Sequence, residues 1–405
     1  MARLLIRDLA QLATPAGSAS PLRGRALRDV TVLDDAYVLC SDDRIEAVGR
    51  MRDLPPLEGH VEEIDGRGLA AIPGLVDCHT HPAFAGDRAH EFALRATGAT
   101  YEELLAAGGG ILSTMRATRA AGHDALAEAV RHHRDRMLAH GTTTFEGKSG
   151  YGLDRDTELA QLRAVRDAGG VATWLGAHAV PPEHPDADAY LDFALAEVLP
   201  HARELATAAD VFVERGTFDV EQARRYLVAC RTAGLDLRLH GDQLSELGAV
   251  PLAIELGARS VDHLEATGPH GVAALAGSDV AAVLLPVAAL FLGKPMPPAR
   301  ALADAGAIVV LATDFNPGSA YCESLPVVCT LACTQLGLSP EEALAACTVN
   351  AAHVLRLDGL GRLAPGRAAD VVLLDAPDWR HLAYHFAGDV VHTVVRRGAL
   401  AWSRA

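Results

Sequence analysis

The sequence is short of positive charge, of aromatic side chains and of long apolar runs. Against 52 Asp and Glu stand 36 Lys and Arg, a formal net charge of -16. An acidic surface disfavours nucleic acid and anionic membrane as partners and favours solubility. No run of roughly 18 apolar residues occurs, so no transmembrane helix is expected. The opening stretch MARLLIRDLAQLATP carries Arg3, Arg7 and Asp8 where a signal peptide would need an uncharged apolar core. The seven cysteines (Cys40, Cys78, Cys230, Cys322, Cys329, Cys333 and Cys347) are odd in number and widely scattered. They give neither a disulfide framework nor a paired CxxC zinc ribbon, and read as small core residues in a reducing compartment. A cytoplasmic protein is the expectation. Internal repeats and low-complexity segments are absent apart from alanine-rich helices.

What is present is length and apolar content. With 405 residues, half of them apolar, the chain suits one large barrel domain beside a smaller one. Residues 1 to about 70 read as short strands separated by turn residues, and so does the end, with ADVVLLDA and VVHTVVRRGALAW. Between them, short β-branched or apolar runs alternate with amphipathic helical stretches, the pattern of parallel βα units. Eight such runs stand out: Leu75–Asp77, Thr142–Phe145, Val171–Ala177, Val211–Glu214, Leu237–His240, Ser260–His263, Val280–Leu285 and Ile308–Asp314. Eight strands with intervening helices predict an α/β fold, a closed (β/α)8 TIM-like barrel over 71–357. A small β-sandwich domain would form from both chain ends, 1–70 and 358–405. Two helix starts are signalled: Thr100 with Glu103, and Ser339 followed by Pro340 and Glu342.

The polar residues fall at telling positions. His79 and His81 follow the first predicted strand and Lys148 the second, while His178, Glu214, His240, His263 and Asp314 end or follow the third, fourth, fifth, sixth and eighth. Active sites of such barrels lie at that C-terminal edge. In His79–Thr80–His81 the two imidazoles share one side of an extended segment. His240 and Asp314 would complete a set of three nitrogens and one oxygen, suited to one Zn²⁺ or Fe²⁺. Each signal alone has a plainer reading. An HxH is weak by itself, and a lone His263 is more often a hydrogen-bonded structural residue. Lys148 could pair with Glu146 or Glu214, or bridge two metals as a carbamate. Asp87 and Arg88 could be a solvated loop pair.

The string PGLVDCHTHPAFAGDRAHEF resembles the opening barrel motif of the imidazolonepropionases, within the amidohydrolase superfamily. The likeness continues through GATYEELLAAGGGILSTMRATR, GTTTFEGKSGYGLD, LRLHGDQLSELGA, SVDHLE, LATDFNPGS and YHFAGDVVHTVVRRG. It implies hydrolysis of 4-imidazolone-5-propanoate to N-formimino-L-glutamate, in histidine degradation, with one zinc or iron ion per chain. Carried over residue by residue, it implies His79, His81, His240 and Asp314 as metal ligands. It implies Arg88, Tyr151, His178 and Gln243 as substrate contacts, and Asn316, Gly318 and Ser319 as contacts to substrate or product. A homodimer is a further expectation from the resemblance.

The substrate's parts suggest roles. Its propanoate tail is an anion that the Arg88 guanidinium suits. Tyr151 and His178 offer donors to tail or ring. Asp314 and His263 are the candidates for moving protons, since an imidazole titrates near neutrality. Gln243 stands where some relatives carry Glu; an amide orients the ring but cannot act as a base. Lys148 precedes SGYG in the family's own pattern, which favours one metal over a carbamate bridge. The stretch LLPVAALFLGKPM, covering Val287–Met296, departs from the family's aromatic, glycine-containing pattern. Competing readings are a deaminase-like mononuclear relative, a two-metal cyclic amidase, and a non-catalytic binding barrel.

Overall fold

The computed structural model describes residues 2–98 and 109–404. The first part of the chain forms β1 (Arg3–Pro15), β2 (Val30–Ser41), β3 (Arg44–Arg50), β4 (Glu62–Asp65) and β5 (Ala70–Pro73). β1 is bulged between Ile6 and Leu9, where Asp8 takes a left-handed backbone, and the bulge lets the long strand bend. The chain leaves this sheet at Gly74, where any Cβ would overlap the Thr143 side chain.

Eight parallel strands then follow in strict chain order: β6 (Leu75–Asp77), β7 (Thr142–Lys148), β8 (Val171–Ala177), β9 (Ala208–Val213), β10 (Asp236–Gly241), β11 (Ser260–His263), β12 (Ala281–Leu284) and β13 (Ile308–Leu311). All eight expected strands exist. The second is longer than its apolar run suggested, because Glu146 and Lys148 continue the strand with their charges buried. The eighth is shorter and ends before Asp314. The two edges meet beyond the strand ends. Thr80 bridges Phe315, the His81 amide donates to the Phe315 carbonyl at 2.8 Å, and the Asp314 amide donates to the His79 carbonyl at 3.0 Å. Below them the Asp77 carboxylate accepts the Thr313 hydroxyl at 2.6 Å. The barrel is thus closed by the segments that carry the first and last candidate ligands.

The chain returns through β14 (Val371–Leu374), β15 (Val391–Arg396) and β16 (Ala399–Ser403). These join the first sheet in the order β16-β15-β14-β5-β1-β2-β3, with β4 beside β1. This sheet encloses its own core of Leu4, Ile6, Leu9, Leu12, Val38, Ile45, Val371, Leu373 and Val395.

Two loops and helix starts bear on function. Ser339 and Glu342 exchange side-chain and backbone hydrogen bonds as expected, at 3.3 and 2.7 Å. The Thr100–Glu103 pair lies outside the described residues. The helix Arg155–Asp167 begins at Asp154, whose carboxylate accepts the Thr157 amide at 2.8 Å. From its first turn the buried Glu158 reaches back to the amides of Gly150, Gly152 and Leu153 at 2.9–3.0 Å. That carboxylate pins the loop bearing Tyr151. All seven cysteines are free thiols, as their scatter suggested. Among the described residues, no helix is long and apolar enough to cross a membrane.

Candidate metal centre and active site

His79, His81 and Asp314 converge because the backbone hydrogen bonds that close the barrel hold their segments side by side. Nε2 of His79 lies 3.3 Å from Nε2 of His81 and 3.4 Å from Oδ1 of Asp314, and the latter two are 3.3 Å apart. Ligand atoms about 2.1 Å from a tetrahedral centre stand roughly 3.4 Å from one another. The triangle therefore has the dimensions of one face of a zinc or iron coordination tetrahedron. A second group, His79 with His240 and His263, shares His79, with ligand atoms within 4.8 Å of one another. His240 Nε2 is buried without a hydrogen-bond partner, an acceptor suited to a cation.

The imidazoles are kept neutral, the form that ligates. Burial holds His79 and His81 well below the usual histidine range, with the Lys148 ammonium adding to it. Burial brings His240 down to about 4, against the pull of Asp210. Burial opposes a charge on His263 too, but the Glu265 carboxylate, 3.4 Å from its Nδ1, together with Asp314 and Asp262 outweighs burial and raises it. His263 is thus the cluster's most readily protonated ring.

Beneath the ligands lies a buried ladder of charge, of which the sequence suggested only the Lys148–Glu146 pair. Asp262 Oδ2 stands 2.5 Å from His79 Nδ1, and Asp210 Oδ1 stands 3.1 Å from His240 Nδ1. Each carboxylate holds its ring as the Nδ1–H tautomer and leaves Nε2 for the cluster. Arg238 donates to Asp262 at 3.0 Å, to Glu146 at 3.0 Å and to the Cys78 carbonyl at 2.7 Å. Lys148 donates to Glu146 at 2.9 Å and to Asp210 at 2.8 Å. All five side chains are sealed from solvent. Burial alone would push Asp210 up; His240 and Lys148 overcome it and hold the carboxyl well below its ordinary value. The signal for this ladder was present: charges inside apolar strands, at Arg238 two residues before His240 and at Glu146 two before Lys148, share the inward face with the strand-end residue.

Several polar strand ends have other work. Lys148 sits in the ladder, bonded to Glu146 and Asp210, and Glu214 is not its partner. Glu214 instead accepts the amides of Leu244 at 2.9 Å and Ser245 at 3.1 Å, holding the loop in which Gln243 is half-buried. The rim is also strained. His263, Leu264, Asp314 and Asp242 all have positive φ, at 86°, 71°, 56° and 53°. Such backbone costs about 1–3 kcal/mol per residue and clusters where function demands it.

The remaining candidates surround the cluster. Tyr151 and His178 face His81, with ring centroids 6.0 and 5.7 Å away. His178 Nδ1 meets the Gly150 carbonyl at 3.0 Å, and burial, with His81, lowers this ring to about 3. The Asn316 side chain accepts the amides of Gly318 and Ser319 at 2.8 Å and donates to the Asp314 carbonyl at 2.6 Å. Ser319 Oγ lies 3.4 Å from Asp314 Oδ2, so this turn abuts the cluster. Arg88 is no solvated partner of Asp87: its guanidinium meets Glu91 at 2.7 Å and crosses Gly318, where a methyl group would overlap it.

The amidohydrolase family is matched over residues 70–400. The imidazolonepropionase of Rubrobacter xylanophilus is 62% identical over 408 residues, covering 98% of each chain. Among solved structures, a triazine hydrolase from Arthrobacter aurescens superposes with a TM-score of 0.71 at 20% identity, over 99% of this chain and 94% of that one. An adenosine deaminase from Xanthomonas campestris, with bound zinc, gives 0.70 at 20% identity, over 98% and 92%. At such identity these two likenesses concern the fold.

Proposed function

Since the chain belongs to the amidohydrolase family and, within it, to the imidazolonepropionases, we propose that His79, His81, His240 and Asp314 together hold a single divalent cation that serves hydrolysis of 4-imidazolone-5-propanoate. The observation that carries this is the triangle of His79, His81 and Asp314 ligand atoms, 3.3–3.4 Å on each side, beside the unpartnered His240 Nε2. The reaction is the hydrolysis of a cyclic amide. Water adds to the ring carbonyl carbon, its bond to the ring nitrogen breaks, and the nitrogen takes a proton, leaving N-formimino-L-glutamate. When bound, a cation with an open position lowers the pKa of water to about 7 and polarises the carbonyl.

The chain's own residues do the rest. Asp314 Oδ2, next to Ser319 Oγ, takes the proton from the attacking water. His263, raised by Glu265, carries a proton to the leaving ring nitrogen. Arg88 takes the propanoate, Tyr151 donates to tail or ring, and His178, whose Nδ1–H is spent on the Gly150 carbonyl, offers Nε2 as an acceptor to a ring N–H. Gln243 orients the ring through its amide, and the turn Asn316–Ser319, its own amides spent on the Asn316 side chain and the Ala320 carbonyl, offers the Ser319 hydroxyl to the developing glutamate carboxylate. Three imidazoles and one carboxylate suit zinc or iron. Lys148 Nζ, within 2.9 Å of both Glu146 and Asp210, is an engaged ammonium, which disfavours a carbamate bridge to a second cation.

The test is loss of the imidazolone ultraviolet absorbance on adding purified protein, with formiminoglutamate identified as the product. Hydrolysis is expected; a stable absorbance with metal-loaded protein would refute the reading.

A further inference from the structure

The helix Ala89–Ala96 lies between the turn at Gly318 and the helix Pro286–Leu292, which follows β12. Phe92 and Phe291 join the two helices, ring centroids 5.1 Å apart. Arg95 lies at that junction. Its guanidinium carbon is 5.4 Å from the Phe291 ring centroid, and Nη2 donates to the Gly318 carbonyl at 3.1 Å. Aromatic seating of this kind steadies a guanidinium and leaves its charge intact.

The charge count makes Arg95 consequential. Arg88, the proposed partner of the propanoate, presents Nε and Nη2 to the same Glu91 oxygen, at 2.9 and 2.7 Å. Glu91 is itself buried, and its other oxygen accepts the Gly110 amide at 3.0 Å. Arg88 and Glu91 alone form a neutral pair with little preference for a carboxylate over an amide. Arg95 is the next cation on this helix, and its pKa is lowered by burial and then by repulsion from Arg88, so the two guanidiniums feel each other. Among the described residues, two guanidiniums and one carboxylate leave a net positive charge beside Gly318. The exposed Asp87 is turned to the Ala89 amide instead, at 2.9 Å.

We propose that Arg95, seated on Phe291 and bonded to the Gly318 carbonyl, is the positioning residue that makes the Arg88 subsite selective for an anionic substrate tail. It acts through the field it adds and through the Gly318 turn that Arg88 crosses. This rests on the reading of Arg88 as the tail's partner. It also gives the helix after β12, through Phe291, a role in substrate choice.

Kinetics on two substrates test it: the propanoate, and its analogue with a neutral propanamide tail, each measured with metal content and melting temperature. Arg95→Gln should raise KM for the propanoate by about tenfold or more, as expected for loss of a unit charge at close range. Its kcat should change by less than about threefold, and KM for the propanamide should hardly move. Arg95→Lys should recover much of the lost selectivity, and should serve if the Gln variant folds poorly. An equal rise in KM for both substrates, or no rise for either, would overturn the proposal while leaving the reaction intact. Failure of the unaltered enzyme to open the propanoate at all would overturn the proposed function along with it.

Discussion

Asp262 Oδ2 stands 2.5 Å from Nδ1 of His79, with both side chains sealed from solvent. The contact links the segment just after β6 to β11, a strand that is not its neighbour, across the barrel interior. It decides which nitrogen of His79 faces the ligand cluster. Arg238, at 3.0 Å from the same Asp262 oxygen, supplies the charge that a buried carboxylate needs.

Replacing Asp262 with Asn removes the charge and keeps the shape. His79 would lose its fixed tautomer, and cation affinity should fall about 10- to 100-fold. Competition with a chromophoric chelator measures this directly. An affinity equal to that of the unaltered protein would mean that the ring is oriented by something else.

Arg238→Met should cost stability before it costs chemistry. The substitution leaves Asp262 and Glu146 buried with one cation fewer, and breaking such a pair typically costs about 3–5 kcal/mol. Urea unfolding of the metal-loaded protein is the measurement. A midpoint unchanged within error would show that water reaches these carboxylates.

His263→Asn is expected to lower kcat by about 100-fold or more, the usual scale of general acid–base catalysis, while the cation stays bound. Activity and metal content of one preparation separate the alternatives. Loss of the metal as well would make His263 a ligand, which its grouping with His79 and His240 renders a real alternative outcome.

The fold was legible because its signals are local. All eight barrel strands followed from short apolar runs, and His79 with His81 from two residues on one side of an extended segment. His240 and Asp314 were legible through strand-end position and family resemblance together. What escaped was the charge inside the barrel. Asp210 in AADVFV sits in a strand whose other residues are apolar, where a polar residue ordinarily reads as an outward break, and Asp262 in SVDH lies beside the more conspicuous His263. Only the closed barrel reveals that these positions face one another and neutralise Arg238 and Lys148. Glu214 and Lys148 were placed correctly along the chain yet do different work, since strand-end position fixes where a side chain starts and not what it meets. Glu158, a helix residue that anchors the Tyr151 loop, gave no signal that pattern reading detects.

The central claim is one cation held by three imidazoles and an aspartate, and reconstitution tests it most directly. Chelator-stripped protein is titrated with Zn²⁺ or Fe²⁺ while loss of imidazolone absorbance is followed, alongside His240→Ala treated identically. Activity should rise from nothing to a sharp break at about one equivalent per chain, with the variant neither binding tightly nor turning over. Full activity in the stripped protein, a break at two equivalents, or an active His240→Ala would contradict it.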